Sequence, residues 1–416
     1  MLTLISIFPL IVSADNVAAA YPTVEDPDLK VEVVAEGITF PTSMAFLAND
    51  DILVLEKNNG TVKRVNHGLV QPEPLLDLDV ASQGERGILG IDIAKNKNGS
   101  TYVFLYLTES GTGREDSADL IKNDSNRLYR YEWLNNSLVN PKLLLDLPAT
   151  PGPNHNGGTL EVGPDNNVYL SVGNLNDKEI KAFHTQAENL RAGKYPDGRA
   201  GILRITQDGK TVLKNNFNLL DDKYPLDKYY AYGIRNSFGL AFDPVTGKLW
   251  NTENGPDYGD EINLVEPGFN SGWSKVQGIW RSVGGQAGES TLKPEGLVDF
   301  EGKGKYSVPE FIWLNTVGPT ELEFLNSDRY GGQYNNDMFV GDINNGNLYH
   351  FDLNENRTDL YLREPLLDKI AQSSSELKNI VFGEGFGGIT DIEVGPDGYL
   401  YVLATSFDKI FRIVPR

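Results

Sequence analysis

The chain has 416 residues, no cysteine, four histidines and a formal net charge of −21. Without cysteine there are no disulfides, thiolate metal sites, iron–sulfur clusters or cysteine nucleophiles, and so acidic a protein is repelled by nucleic-acid phosphates and anionic lipid. A chain of this length buries about three quarters of its unfolded surface, so its core needs no metal, while its 58 carboxylate side chains offer hard oxygen ligands for calcium.

The N-terminal stretch MLTLISIFPLIVSADNVAAAYP is an apolar run closing on small residues with an Ala18-x-Ala20 pattern, and residues 1–20 read as a secretory signal or its remnant. The first basic residue is Lys30, and the run is short and broken by Pro9, so no membrane span is expected in the mature chain. The expected location is secreted, cell-surface or periplasmic. Sequons at Asn59, Asn98, Asn123, Asn135 and Asn356 are compatible with export.

From residue 30 onward, short runs of Val, Ile, Leu and Tyr are punctuated by Gly, Asn, Asp and Pro, the pattern of an all-β protein. Six similar units follow in order: MAFLANDDILVLEKNNG from residue 44, LGIDIAKNKNGSTYVFLYLTE from 89, LEVGPDNNVYLSVGN from 160, LAFDPVTGKLWNTENG from 240, LEFLNSDRYGGQYNNDMFVGD from 322 and IEVGPDGYLYVLATS from 392. Each joins two apolar strands through a turn rich in Asp, Asn and Gly. This predicts a six-bladed β-propeller over residues 30–416 as a single domain, because radial repetition buries both faces of each sheet. The segments KVEVVAEG and DKIFRIVP at the two ends are predicted to meet in one closing sheet. Insertions fall at 176–200 and 280–310, the loosest of them at 284–296.

His155 lies in GPNHNGG, where Asn and Gly let the backbone turn sharply and an imidazole can act as a base near neutral pH; a turn histidine bonded to a carbonyl is the alternative. Arg235 and Asn236 precede the fourth repeat, where a guanidinium and an amide can hold an oxyanion or pair with a local acid. Around Gly255 and Pro256 stand Glu253, Asp257, Asp260 and Glu261, a set able to wrap a hard cation or to form a solvated turn. Gly383–Gly388 matches the dinucleotide-binding fingerprint but is followed by strand and turn signals, so it reads as a glycine-rich loop. His67, His184 and His350 have no neighbours at metal-ligand spacing and read as surface or strand histidines.

Taken together, GERGILGIDI, NHNGGTLEVGPDNNVYLSVGN, GIRNSFGLAFDPVTGKLWNTENGPDYGDEINLVEPGFNSGW and DIEVGPDGYLYVLA resemble the soluble PQQ-dependent aldose sugar dehydrogenases, the glucose/sorbosone dehydrogenase family, over nearly all of residues 32–416. The resemblance implies a six-bladed propeller that oxidises aldose sugars to lactones, with PQQ and Ca²⁺ as cofactors and an external electron acceptor as partner. It implies His155 as general base, also touching substrate, Arg235 and Asn236 holding the quinone oxygens, and the carbonyls of Gly255 and Pro256 binding calcium. Glu253, Asp260 and Glu261 are implied as supports for the metal and its loop. Glu85 stands where the family has a substrate-contacting Gln.

The chain also departs from the family where a Lys and an Arg-x-Arg hold the PQQ carboxylates. Asn344, Asn345, Gly388 and Thr390 occupy those places, and Arg281 or Lys305 from the insertions are candidate replacements. Loss of these counter-charges leaves open a non-catalytic propeller binding carbohydrate or protein at its mouth. A calcium-dependent lactonase is a third reading that no motif selects.

Overall fold

The computed structural model describes residues 21–117, 124–175, 184–212, 222–278 and 296–416. The expected leader, Arg281 and nearly all of 284–296 lie outside the described residues. Within them the chain is all-β: the only helices are the single turns Gln186–Glu188, Leu226–Lys228 and Leu377–Asn379. None is long and apolar enough to cross a membrane.

Each sequence repeat folds as a hairpin. The pairs are Pro41–Ala48 with Asp51–Glu56, Ile88–Lys95 with Thr101–Glu109, and Leu160–Val162 with Asn167–Val172. They continue as Gly239–Phe242 with Leu249–Glu253, Pro319–Phe324 with Met338–Asp342, and Ile389–Val394 with Leu400–Ala404. Further strands add to these hairpins, and the described strands group into six sheets. The first strands of successive hairpins pack side by side in chain order, and that of the last hairpin returns to that of the first, which is the radial arrangement of a β-propeller. The chain ends meet as expected: Leu29–Glu36 pairs antiparallel with Lys409–Pro415, which pairs with Leu400–Ala404. Gly383–Gly388 runs from the strand Val381–Glu384 through a loop into Ile389–Val394, with no helix after it.

Aromatic side chains fill the space between sheets. Phe311, Trp313, Tyr349 and Phe351 are buried together, with Phe311 edge-on to Trp313 at 4.9 Å between ring centroids. Towards the axis, where neighbouring sheets share no backbone ladder, side chains stitch one inner strand to the next. Asp92 accepts from Val162 N at 2.6 Å, Glu321 from Leu240 N at 2.7 Å, and Asp391 from Met44 N at 2.5 Å. Hydroxyls add to the stitching: Thr42 donates to the Ile88 carbonyl at 3.0 Å and Thr320 to that of Ile389 at 2.9 Å. The register shifts within the inner strands Pro41–Ala48, Ile88–Lys95, Pro319–Phe324 and Ile389–Val394, and such bulges re-aim side chains.

The result is a concentration of acid around the axis. Burial lifts the carboxyls there, with neighbouring carboxylate charge added for all but Asp92: Asp92 to about 6, Asp391 to about 7, Glu323 to about 8, and Glu161, Glu321 and Glu393 well above the usual carboxylate range.

Candidate active site

His155 sits on the turn leading into Leu160–Val162 with φ of 59°, a left-handed conformation that costs a non-glycine residue about 1–2 kcal/mol. Two contacts hold it there. Its N–H donates to Glu85 Oε2 at 2.7 Å, and its carbonyl occupies the space that a Cβ on Gly173 would need. Glu85 Oε2 also accepts from Asn236 Nδ2 at 3.0 Å, and Asn236 Oδ1 accepts from Gly157 N at 3.0 Å. Glu85 therefore links the histidine turn to the loop of the fourth repeat. Burial raises its pKa, opposed by Asn236, the His155 N–H and the Arg235 charge.

His155 Nδ1 lies 2.6 Å from Asn174 Oδ1. The orientation of that amide is set by its other end, because Asn174 Nδ2 donates to Glu188 Oε1 at 3.2 Å. An amide oxygen can only accept, so Nδ1 carries a proton, and in the neutral ring Nε2 then holds the lone pair. Glu188 is steadied in turn by the Thr185 N–H at 2.7 Å, and burial lifts its carboxyl to about 6 against that hydrogen bond and the Asn174 amide.

Arg235 is 9 % exposed. Its N–H donates to Glu253 Oε1 at 2.7 Å, its Nη1 to the Asn254 carbonyl at 2.9 Å, and its guanidinium lies 5.4 Å from the centroid of Trp273. Burial lowers its pKa, countered by Glu85, Glu253, Asp260 and Asp257. Its buried Nε has no hydrogen-bond partner among the described residues. A buried donor left unsatisfied costs about 1–3 kcal/mol, so an acceptor arriving on a ligand would recover that cost.

Glu253 and Glu261 face each other across the ladder of Leu249–Glu253 and Asp260–Val265. Ser271 Oγ reaches both, at 2.5 Å and 3.3 Å. Burial lifts Glu253 to about 7, and burial with the Glu253 charge takes Glu261 well above its ordinary value. Asp260 supports the loop directly. Its oxygens accept from Gly255 N at 2.8 Å, Val317 N at 2.7 Å and Gly318 N at 2.9 Å, so it clamps the turn carrying Gly255 and Pro256. A Cβ on Gly255 would overlap the Tyr258 carbonyl oxygen. Gly255→Ala is expected to cost about 1–3 kcal/mol of stability through this overpacking, measured as a lower midpoint in denaturant.

The residues picked from sequence are thus joined through one hydrogen-bonded patch. His155, Glu85 and Asn236 connect through Asn254 N, which donates to the Asn236 carbonyl at 2.8 Å, to the Gly255–Pro256 turn and Arg235. Three contributors escaped the sequence reading. Asn174 ends a quoted repeat and was legible as a polar residue closing a buried strand; Glu188 comes from an insertion and carried no signal. The third is Lys57, directly after the buried strand Asp51–Glu56. It donates to the Gly84 carbonyl at 2.8 Å and Asn58 Oδ1 at 3.0 Å, and burial draws its pKa down to about 8 against the pull of Glu85.

A cavity of about 220 Å³ opens beside this patch, with Lys57, Glu85, Gly157 and Gly158 in its wall. His155, Arg235 and Asn236 do not line it themselves; Glu85 in its wall accepts from the His155 N–H and from Asn236 Nδ2. On another side it is walled by the neutral Ile343, Thr390 and Thr405. Asn345 folds back onto Asp342 through its N–H at 2.6 Å, and Lys305 is exposed on the short strand Lys305–Tyr306. Lys57 is the one Lys or Arg among the described residues lining this cavity.

The family model for "Glucose / Sorbosone dehydrogenase" matches residues 38–412. The aldose sugar dehydrogenase of Escherichia coli is 25% identical over 98% of this chain and 97% of its own length. Quinoprotein glucose dehydrogenase B of Acinetobacter calcoaceticus is 30% identical over 59% of this chain and 52% of its own length. The PQQ-bound aldose sugar dehydrogenase of Streptomyces coelicolor superposes with a TM-score of 0.64 over 95% of this chain and 100% of that one. At 21% identity that likeness speaks for the fold.

Proposed function

The chain belongs to the glucose/sorbosone dehydrogenase family, and on that premise we propose that it is an exported, calcium-dependent quinoprotein oxidising aldose sugars to lactones and passing electrons to an external acceptor. The ring is read as six-bladed, one blade per sheet. The observation that carries the reading is the fixed tautomer of His155, with Nδ1 on Asn174 at 2.6 Å, in the same hydrogen-bonded patch as the unsatisfied Nε of Arg235.

When bound, PQQ with its calcium supplies a polarised carbonyl able to accept a hydride. The protein's own residues do the rest. His155 Nε2 takes the proton of the sugar's anomeric hydroxyl. Arg235, aided by the second N–H of Asn236, presents a fixed cation to the charge that grows on the cofactor oxygens. The carbonyls of Gly255 and Pro256 are assigned to calcium, with Asp260 holding their turn and the Glu253–Glu261 pair of buried carboxyls lying behind it. Glu85 holds the histidine turn and presents its carboxylate to substrate in the cavity wall.

Arg235 Nε and the Gly255–Pro256 turn fit the reactive end of such a cofactor, whereas the neutral wall of Ile343, Thr390 and Thr405 gives little charge to its carboxylates. Weak cofactor binding follows. Restoring a cation by Thr390→Arg is expected to tighten PQQ binding about ten- to a hundredfold, the effect of one charge-assisted hydrogen bond, as read by equilibrium titration. Loading the purified chain with PQQ and Ca²⁺ and supplying aldoses with an artificial dye tests the activity itself. Dye reduction supports the dehydrogenase. Its absence at saturating PQQ, with sugars still raising the thermal midpoint, would favour the non-catalytic carbohydrate-binding propeller that the neutral wall suggests.

A further inference from the structure

His350 has no metal-ligand neighbour in sequence, but the tertiary structure brings two. It lies on the strand Leu348–Phe351, antiparallel to Met338–Asp342, with Phe339 opposite His350 and Met338 opposite Phe351. Asp337 and Asp352 are the residues directly beyond that last pair, at the end of the ladder. Because side chains alternate across a strand, His350 and Asp352 share a face with Asp337. His350 Nε2 lies 2.9 Å from Asp337 Oδ2 and 3.6 Å from Asp352 Oδ1. One ligand atom from each of the three residues falls within 4.8 Å of the others.

We propose that Asp337, His350 and Asp352 form a divalent-metal site for an ion of the Zn²⁺ or Mn²⁺ class, separate from the candidate active site. One imidazole nitrogen and two carboxylate oxygens suit such ions. Ligands bound at about 2.0–2.2 Å and separated by tetrahedral or octahedral angles lie about 2.9–3.6 Å apart, the range of the two separations from Nε2. Two further observations support the assignment. Like charges held close together across neighbouring strands are destabilising, and a cation between Asp337 and Asp352 removes that repulsion. The imidazole is also already oriented, edge-on to Tyr334 and tilted against Phe339, each at 5.1 Å between ring centroids.

The three residues are partly exposed, and His350 and Asp352 face a cavity of about 500 Å³ that Tyr361, Arg363 and Glu364 also line. That cavity leaves room for water or a small anion to complete the coordination. Binding replaces the Nε2–H···Asp337 hydrogen bond by a metal–nitrogen bond, and the neutral ring keeps its one proton on Nδ1.

Calorimetric titration of the full, metal-free chain with ZnCl₂, repeated with MnCl₂, tests the site. The expected result is one equivalent of either metal bound by the wild-type chain at this site, weakened at least tenfold in both Asp352→Asn and His350→Gln and unchanged in Glu355→Gln, an exposed carboxylate belonging to neither site. Asp352 is the most exposed of the three, so its substitution leaves the fold intact, as the thermal midpoint of the metal-free variant will verify. Equal binding by the wild-type chain and Asp352→Asn, or no binding by the wild-type chain at millimolar metal, overturns the proposal.

Discussion

His155→Asn is expected to lower kcat for aldose oxidation by about 10²–10⁴-fold, the span attributed to a positioned general base, while leaving the thermal midpoint nearly unchanged. Asparagine is chosen because it tolerates the left-handed backbone that residue 155 adopts at φ 59°, and because the N–H held by Glu85 belongs to the backbone. The fold contacts therefore survive and the loss falls on proton transfer. Asn174→Leu provides the companion measurement. It leaves the imidazole in place but removes the acceptor that fixes the proton on Nδ1, so kcat falls by a smaller factor with KM little altered. Steady-state dye reduction across a pH series separates the two variants, since only Asn174→Leu retains a titrating base. Full activity in His155→Asn would remove the residue from the mechanism.

The second large effect concerns stability. For each of the six axial carboxyls the folded-state pKa lies above the unfolded value, so the protonated form is the one that folding favours. Their contribution is fully present below the unfolded carboxylate range near pH 4 and is lost as pH rises through the folded values, about 6 for Asp92, 7 for Asp391 and 8 for Glu323. This is the reverse of ordinary acid denaturation. At constant ionic strength the thermal midpoint is expected to drop by roughly 5 °C or more between pH 6 and pH 9, taking about 2–4 °C per kcal/mol for a large domain.

Glu393→Gln should flatten that slope and raise the midpoint at pH 9, because Glu393 is held up by burial and by the charges of Asp391, Glu323, Asp92 and Glu161. Asp391→Asn should behave differently. Asp391 accepts the Met44 and Ile392 N–H groups on its two separate oxygens, and an amide accepts at one end only, so this variant loses stability even at pH 6. A midpoint that rises with pH would refute the account, and differential scanning calorimetry at each pH decides it.

Which features were legible in sequence follows from how local their causes are. The six hairpins and the closing pair of terminal strands were readable because alternation of apolar residues and Asp/Asn/Gly turn chemistry act over a few neighbouring residues. The motifs holding His155, Arg235 and the Gly255–Pro256 turn were readable for the same reason. Glu188 behind Asn174, Lys57 beside the axial cavity, the Asp260 clamp and the union of His350 with Asp337 and Asp352 were not, since each joins residues on different strands or loops with no periodic relation.

By itself, then, the sequence determined an all-β repeat chain, its hairpins and a short set of polar residues able to do chemistry, through interactions between near neighbours. Only the tertiary structure decided which of those residues meet, which carboxylates are spent on backbone N–H groups and which crowd the axis. Those outcomes depend on burial and on distances across the closed ring, and neither exists until distant segments have packed together.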